Sequence, residues 1–128
     1  MTESHHERII RPAFVRQDDR GTLRELLNGS AWYSVVQGEM VAGAVMGNHY
    51  HKETDVFYFL FSGRARIVIR HIDSEKRDEF VIGAMEGVIF KTFETHTVTF
   101  EESGAYLLLR SRPYDPKNTD TFDFPVDS

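Results

Sequence analysis

The sequence contains no cysteine, which removes disulfides, thiolate metal sites and cysteine nucleophiles together. Any metal must therefore be held by imidazole nitrogen and oxygen. No apolar run approaches the roughly 18 residues that a membrane-spanning helix needs. Residues 1–7 are polar and lack the apolar stretch of a signal peptide, so a cytoplasmic location is the expectation. Positive charge is neither abundant nor gathered into a stripe, and the formal net charge of −5 disfavours nucleic acid as a partner. Proline is scarce until the last sixteen residues, where Pro113, Pro116 and Pro125 fall.

What remains is ordinary globular material, 41% hydrophobic and 27% charged, in a chain of 128 residues that has room for a single domain. Helical periodicity is almost absent; the one stretch that could form a helix, 22–27, also reads as a strand edge. Short β-branched and aromatic runs recur instead, separated by turn residues, as in a sandwich or barrel. They predict strands at 11–16, 32–37, 40–45, 49–51, 56–61, 65–72, 79–82, 87–91, 96–100 and 105–110. The turn signals include Gly38-Glu39, Ser62-Gly63 and Ser103-Gly104, and they predict that consecutive strands are mostly antiparallel neighbours. Residues 1–8 read as a flexible tail, 9–112 as the β domain, and 113–128 as an extended segment that wraps the outside or frays.

His49-Tyr50-His51 carries the first chemical signal. Residues two apart on a strand share a face, so both imidazoles can converge on one point while Tyr50 turns away. A barrel would bring His96 opposite the pair. Asp55 and Glu53 are the nearby carboxylates. Two or three imidazoles with one carboxylate form a site for a divalent transition metal: zinc, iron, manganese or nickel. His71 reads as a core or surface histidine, and His5 and His6 as solvated tail residues. Arg64, Arg66 and Arg70 alternate on one strand face, and Arg110 and Arg112 on another. Either set is a solvated face or an anion clamp.

Gly43, then His49-Tyr50-His51, an acid, an aromatic strand, Gly63 and a later histidine together resemble the two-part signature of the cupin superfamily. The segments 43–51 and 62–66 resemble cupins that act on nucleotide sugars: the C-terminal cupin of bifunctional capsular-sugar reductases, and the dTDP-sugar 3,4-ketoisomerases. The segment 113–121 is similar to the close of those domains. The resemblance implies an all-β, double-stranded β-helix, a jelly-roll barrel. It implies a metal at His49, His51, Asp55 and His96, the three histidines as catalytic groups, and Arg64 and Arg66 as the clamp for a substrate diphosphate. The implied activity is epimerisation or ketoisomerisation of a nucleotide-linked 4-keto sugar, in a homodimer paired through an edge strand near the N-terminus. A non-haem iron dioxygenase and a non-catalytic ligand module are the alternatives within the same fold.

Two departures from the family pattern bear on the site. The usual glutamate position, seven residues before the family glycine, holds Val56, and Asp55 fits only if the strand contains one extra residue. A one-residue slip exchanges the faces of a strand. The Asp55 register sends Phe57, Phe59 and Phe61 inward; the Val56 register sends Tyr58 and Leu60. Three phenylalanines make the more natural core, so the Asp55 register is preferred, with a bulge near Ser62 absorbing the extra residue. The second departure is Lys91-Thr92-Phe93, which stands where the family has proline and glycine before the last histidine.

Overall fold

The computed structural model describes residues 6–29 and 31–127. Eleven strands and no helix are found among them: β1 (Phe14–Asp18), β2 (Gly21–Glu25), β3 (Ser34–Met40), β4 (Val45–Tyr50), β5 (Val56–Leu60), β6 (Arg64–His71), β7 (Asp78–Ile82), β8 (Glu86–Phe90), β9 (Glu94–Glu102), β10 (Gly104–Arg110) and β11 (Phe122–Asp123). The stretch 22–27 is thus a strand at its start, in a β1–β2 hairpin that forms a sheet of its own.

The other strands form two facing sheets, ordered β3-β10-β5-β8 and β11-β4-β9-β6-β7. Every pairing is antiparallel, as expected. The expectation that consecutive strands pair fails. From β3 onward every connection except β6 to β7 crosses from one sheet to the other. The chain is a single double-stranded β-helix, whose strands find their partners far along the sequence.

Gly38 does not turn the chain. It lies within β3, opposite Tyr106, and a Cβ there would stand 2.7 Å from the Tyr106 hydroxyl oxygen. Its lack of a side chain makes room for a ring, and the reversal comes after Met40 instead.

The core between the sheets contains Val56, Tyr58 and Leu60 from β5, Ile67 and Ile69 from β6, Val88 and Phe90 from β8, and Val98 and Phe100 from β9. This is the Val56 register, and it overturns the preference for Asp55. Phe57 and Phe59 point the other way and are nonetheless fully buried, packed on Trp32, on each other and beside Gly87. β5 runs as a regular ladder against both β8 and β10, with no bulge to shift it.

Both ends of the described chain are tied to the barrel. The Arg8 guanidinium donates to both Glu94 carboxylate oxygens at 2.8 and 2.7 Å, Ile9 is buried, and His6 stacks on Phe80. The part of the expected tail that is described is therefore anchored; His5 lies outside the described residues. The C-terminal segment wraps the outside, where β11 adds to the edge of β4.

Candidate functional site

β4 carries the site because it is bent to do so. Its register against β9 shifts between Gly47 and His49, with Gly47 at φ 107° and Asn48 at φ 59°. A Cβ on Gly47 would lie 2.3 Å from the His96 carbonyl oxygen, so only glycine admits this approach of the two strands. Asn48 tolerates its left-handed backbone, and its side-chain oxygen accepts the Val126 amide. The bulge sets His49 beside His96, with His51 one alternation further on.

The three imidazoles meet. One ring nitrogen from each of His49, His51 and His96 lies within 4.8 Å of the other two. The ring centroids of His49 and His51 are 5.2 Å apart, those of His49 and His96 4.9 Å. No carboxylate belongs to the group among the described residues. Asp55 accepts the Thr92 amide instead, and its own amide takes the Ser111 hydroxyl oxygen, so it ties two loops together outside the cluster. Glu53 is exposed, 4.0 Å from Arg112.

Each histidine is oriented by a backbone group. His51 Nδ1 lies 2.7 Å from the Asp120 carbonyl oxygen, and His96 Nδ1 lies 3.2 Å from that of Glu94. A carbonyl oxygen only accepts, so these Nδ1 atoms carry the proton and Nε2 presents the lone pair. His49 has a backbone hydrogen bond with Gly47. Burial, then the charge of His49, pushes His96 down to about 3. Burial and then His51 lower His49 as well. Three imidazole nitrogens within 4.8 Å of one another are a donor set suited to a zinc, iron, manganese or nickel ion, so the residues fit a metal of that class.

A cavity of about 170 Å³ opens above the histidines, walled by Met46, Val56, Tyr58, Phe90 and Leu108. Burial raises the Tyr58 phenol well above its ordinary value, and its hydroxyl donates to Met46 Sδ at 3.1 Å. At the mouth stand Arg110, Tyr114 and Thr121. Arg110, Tyr114 and His51 also line an adjoining groove of about 100 Å³, which adds Arg112, Asn118 and Asp120. The Arg110 guanidinium lies over the Tyr114 ring at 4.9 Å and donates to the Ser34 hydroxyl. A wider depression of about 220 Å³ on the β1–β2 hairpin is open and distant from the histidines.

Arg64 and Arg66 are not at the cavity. Ala65, Ile67 and Ile69 are the β6 residues that face the core, so the arginines face outward. Arg64 pairs with Glu101 and Glu102, and Arg66 with Glu79. Arg110 on β10 lines the cavity instead, and Arg112 just beyond it lines the adjoining groove. The resemblance covered Tyr114, Asp120 and Thr121 within 113–121 but assigned none of them a role at the site. His71 is exposed at the end of β6, as a surface histidine.

Among solved structures, the capsular polysaccharide assembling protein CapF of Staphylococcus aureus is similar at 22% identity and a TM-score of 0.70, over 88% of this chain and 32% of that one. The chain thus spans about a third of the length of CapF. The WlaRB TDP-quinovose 3,4-ketoisomerase of Campylobacter jejuni aligns over 90% of each chain, at 18% identity and a TM-score of 0.76. The dTDP-4-dehydrorhamnose 3,5-epimerase of Sulfolobus tokodaii aligns over 90% of this chain and 78% of that one, at 18% identity and 0.73. At these identities the likeness establishes the fold, the cupin jelly roll. No curated protein sequence matches the chain. Residues 16–122 match the family model of the polysaccharide biosynthesis C-terminal domain, and the chain belongs to that family.

Proposed function

We propose that this cupin is an isomerase or epimerase acting on a 4-keto sugar carried by a nucleoside diphosphate. The observation that carries the reading is the convergence of three imidazoles in a pocket lined by Arg110, with Arg112 in the adjoining groove. The resemblance to CapF, the ketoisomerase and the epimerase supports the substrate class.

The hydrogen on the carbon beside a ketone becomes removable once the enolate charge is stabilised. His49 is the least buried of the three rings and is kept neutral by burial and by His51, so it can take that proton. Return of the proton to the opposite face inverts the centre; return to the former ketone carbon, with the adjacent hydroxyl losing its proton and the former ketone oxygen gaining one, moves the ketone. Arg110, close enough to disfavour protonation of His49, lends positive charge to the same end of the pocket. Arg110 and Arg112 replace Arg64 and Arg66 as the diphosphate clamp. His49 takes the proton in the metal-free site. Were His49, His51 and His96 to hold one divalent transition metal, that ion would supply Lewis-acid polarisation of the ketone oxygen and His49, its lone pair committed, would no longer be the base.

Incubation with dTDP- and UDP-linked 4-keto sugars in deuterated water tests the reading. Deuterium should enter the carbon beside the ketone, and His49→Gln should abolish its entry. No exchange into any nucleotide sugar would refute it. The all-histidine donor set also suits a non-haem iron dioxygenase; iron in the purified protein together with oxygen uptake would select that reading.

The protein is further proposed to be a homodimer. Phe14, Val15 and Leu23 on the hairpin and Val35 on edge strand β3 are exposed, a set of apolar side chains suited to a second copy. A monomeric mass in sedimentation would refute it.

A further inference from the structure

Asp120 is bound to the pocket rim by more contacts than a polar surface residue needs. Its carboxylate accepts the backbone amides of Lys52 and Glu53, each at 2.9 Å, and the Thr54 hydroxyl at 2.8 Å. Those three donors form the turn that follows His51. Its own backbone is left-handed, at φ 53°. Its carbonyl oxygen receives His51 Nδ1 at 2.7 Å. Thr121, the next residue, lines the histidine pocket, and β11 begins immediately after it, pairing Phe122 with Tyr50 and Asp123 with His49.

Two independent requirements therefore meet at this position. The positive φ favours glycine, asparagine or aspartate. The three converging donors call for a group that only accepts, which among those three is aspartate alone. Asparagine would keep the backbone and turn an amide N–H against at least one donor.

We propose that Asp120 is a positioning residue for His51. Its carboxylate clamps the C-terminal strap onto the 52–54 turn, so that its carbonyl holds the His51 proton on Nδ1 and leaves the Nε2 lone pair facing the pocket. The clamp joins two segments of chain 66 or more residues apart, so the tautomer of a pocket histidine is set by the end of the chain. This rests on the reading of His51 as a working imidazole, and the role Asp120 plays is to keep that imidazole in one of its two neutral forms.

The test is nitrogen NMR of the histidine rings in the full chain, stripped of metal by a chelator and held where imidazoles are neutral, with His51→Gln used to assign the His51 signals. The wild type should show a protonated Nδ1 and an unprotonated Nε2 at His51. In Asp120→Asn the two His51 nitrogen shifts should move toward each other as the tautomers mix. The His96 signals, set by the Glu94 carbonyl, should stay in place. A wild-type His51 protonated on Nε2, or an Asp120→Asn protein with unchanged His51 shifts, overturns the proposal. If Asp120→Asn does not fold, Thr54→Val removes one of the three donors and is read by the same two outcomes. The measurement needs no substrate. Failure to turn over any nucleotide sugar would count against the proposed reaction and leave the tautomer result standing.

Discussion

The rings of Phe90 and His96 lie face to face, with centroids 3.9 Å apart and planes 4° from parallel. Phe90 comes from the four-stranded sheet and His96 from the five-stranded one, so the contact is made across the interior of the barrel. It holds the imidazole in plane and excludes water from one of its faces, which is part of the burial that depresses its basicity. Replacing Phe90 with leucine keeps an apolar wall but removes the flat partner. The His96 pKa should rise from about 3 toward its ordinary value of 6.5, followed as a proton NMR titration of the ring. An unchanged titration would mean that Phe90 only fills space.

Because the folded protein holds His96 below the value it has when unfolded, the unfolded chain binds a proton first as pH falls. Stability is complete above about pH 6.5 and is lost from there down toward pH 3. One such group gives a slope of about 1.4 kcal/mol for each pH unit inside that window. His49 is shifted in the same direction and adds to it. Carboxylates such as Asp120, whose burial is outweighed by the Lys52 and Glu53 amides, also lose stability in acid. The discriminating measurement is therefore a difference. Urea unfolding between pH 7 and pH 4 should fall less steeply for His96→Gln than for the wild type, and parallel slopes would refute the assignment.

Gly47 is the narrowest point in the approach of β4 to β9. Alanine there meets the His96 carbonyl at 2.3 Å and must also adopt φ 107°. Backbone strain alone costs about 1–3 kcal/mol, and relief of the clash would push apart the strands that carry His49 and His96. Gly47→Ala should lower the urea midpoint by at least that amount and should weaken metal uptake measured by calorimetry. A variant as stable as the wild type would show that β4 can bend elsewhere.

The histidines were legible because a strand's two-residue period is rigid: His49 and His51 had to share a face whatever the rest of the sheet did. The register of β5 was not, and the reason lies in its neighbours. All five residues from Val56 to Leu60 are buried, with Trp32 packed against Phe57 on the outer face of that sheet. Burial on both faces erases the alternation that would have separated Val56 from Asp55. Arg64 and Arg66 misled for a related reason. Their alternation is real, but alternation cannot say which face is inward, and the small Ala65 between them gave no sign that it was the buried one. Asp120 was invisible because its partners lie more than sixty residues away and its role depends on a left-handed backbone in a turn.

Arg8 and Glu94 form a largely buried pair in which two N–H groups meet both carboxylate oxygens. Burial pushes Glu94 up, but the Arg8 guanidinium and the Lys91 amide more than offset it. Glu94 also supplies the carbonyl against His96 Nδ1, so the pair ties the N-terminal segment to the back of the site. Arg8→Met should destabilise by about 1.5–3 kcal/mol, the range for a hydrogen bond to a charged group. Hydrogen exchange should quicken at Ile9 and Ile10, whose amides are paired with His6 and Gly87. Unaltered protection there would mean that the N-terminal segment is held by Ile9 and His6 alone.

The two arginine pairs separate the substrate reading by position. Arg110 stands where the cavity and the groove meet, stacked on Tyr114, whereas Arg64 and Arg66 are already paired with Glu101, Glu102 and Glu79 on the far side of the sheet. A nucleoside diphosphate drawn to Arg110 gains charge-assisted hydrogen bonds, each contributing about 1.5–3 kcal/mol. Loss of one corresponds to a weakening of roughly ten- to a hundredfold. Arg110→Met should therefore raise the calorimetric Kd for dTDP or UDP by that factor, while Arg64→Ala and Arg66→Ala leave it unchanged. Arg110→Lys keeps the charge but not the planar fork, and should fall between the two. Should the exposed pair matter and Arg110 not, the nucleotide would be bound on the outer face of the barrel, and the histidines would lie on the wrong side of the sheet to act on its sugar.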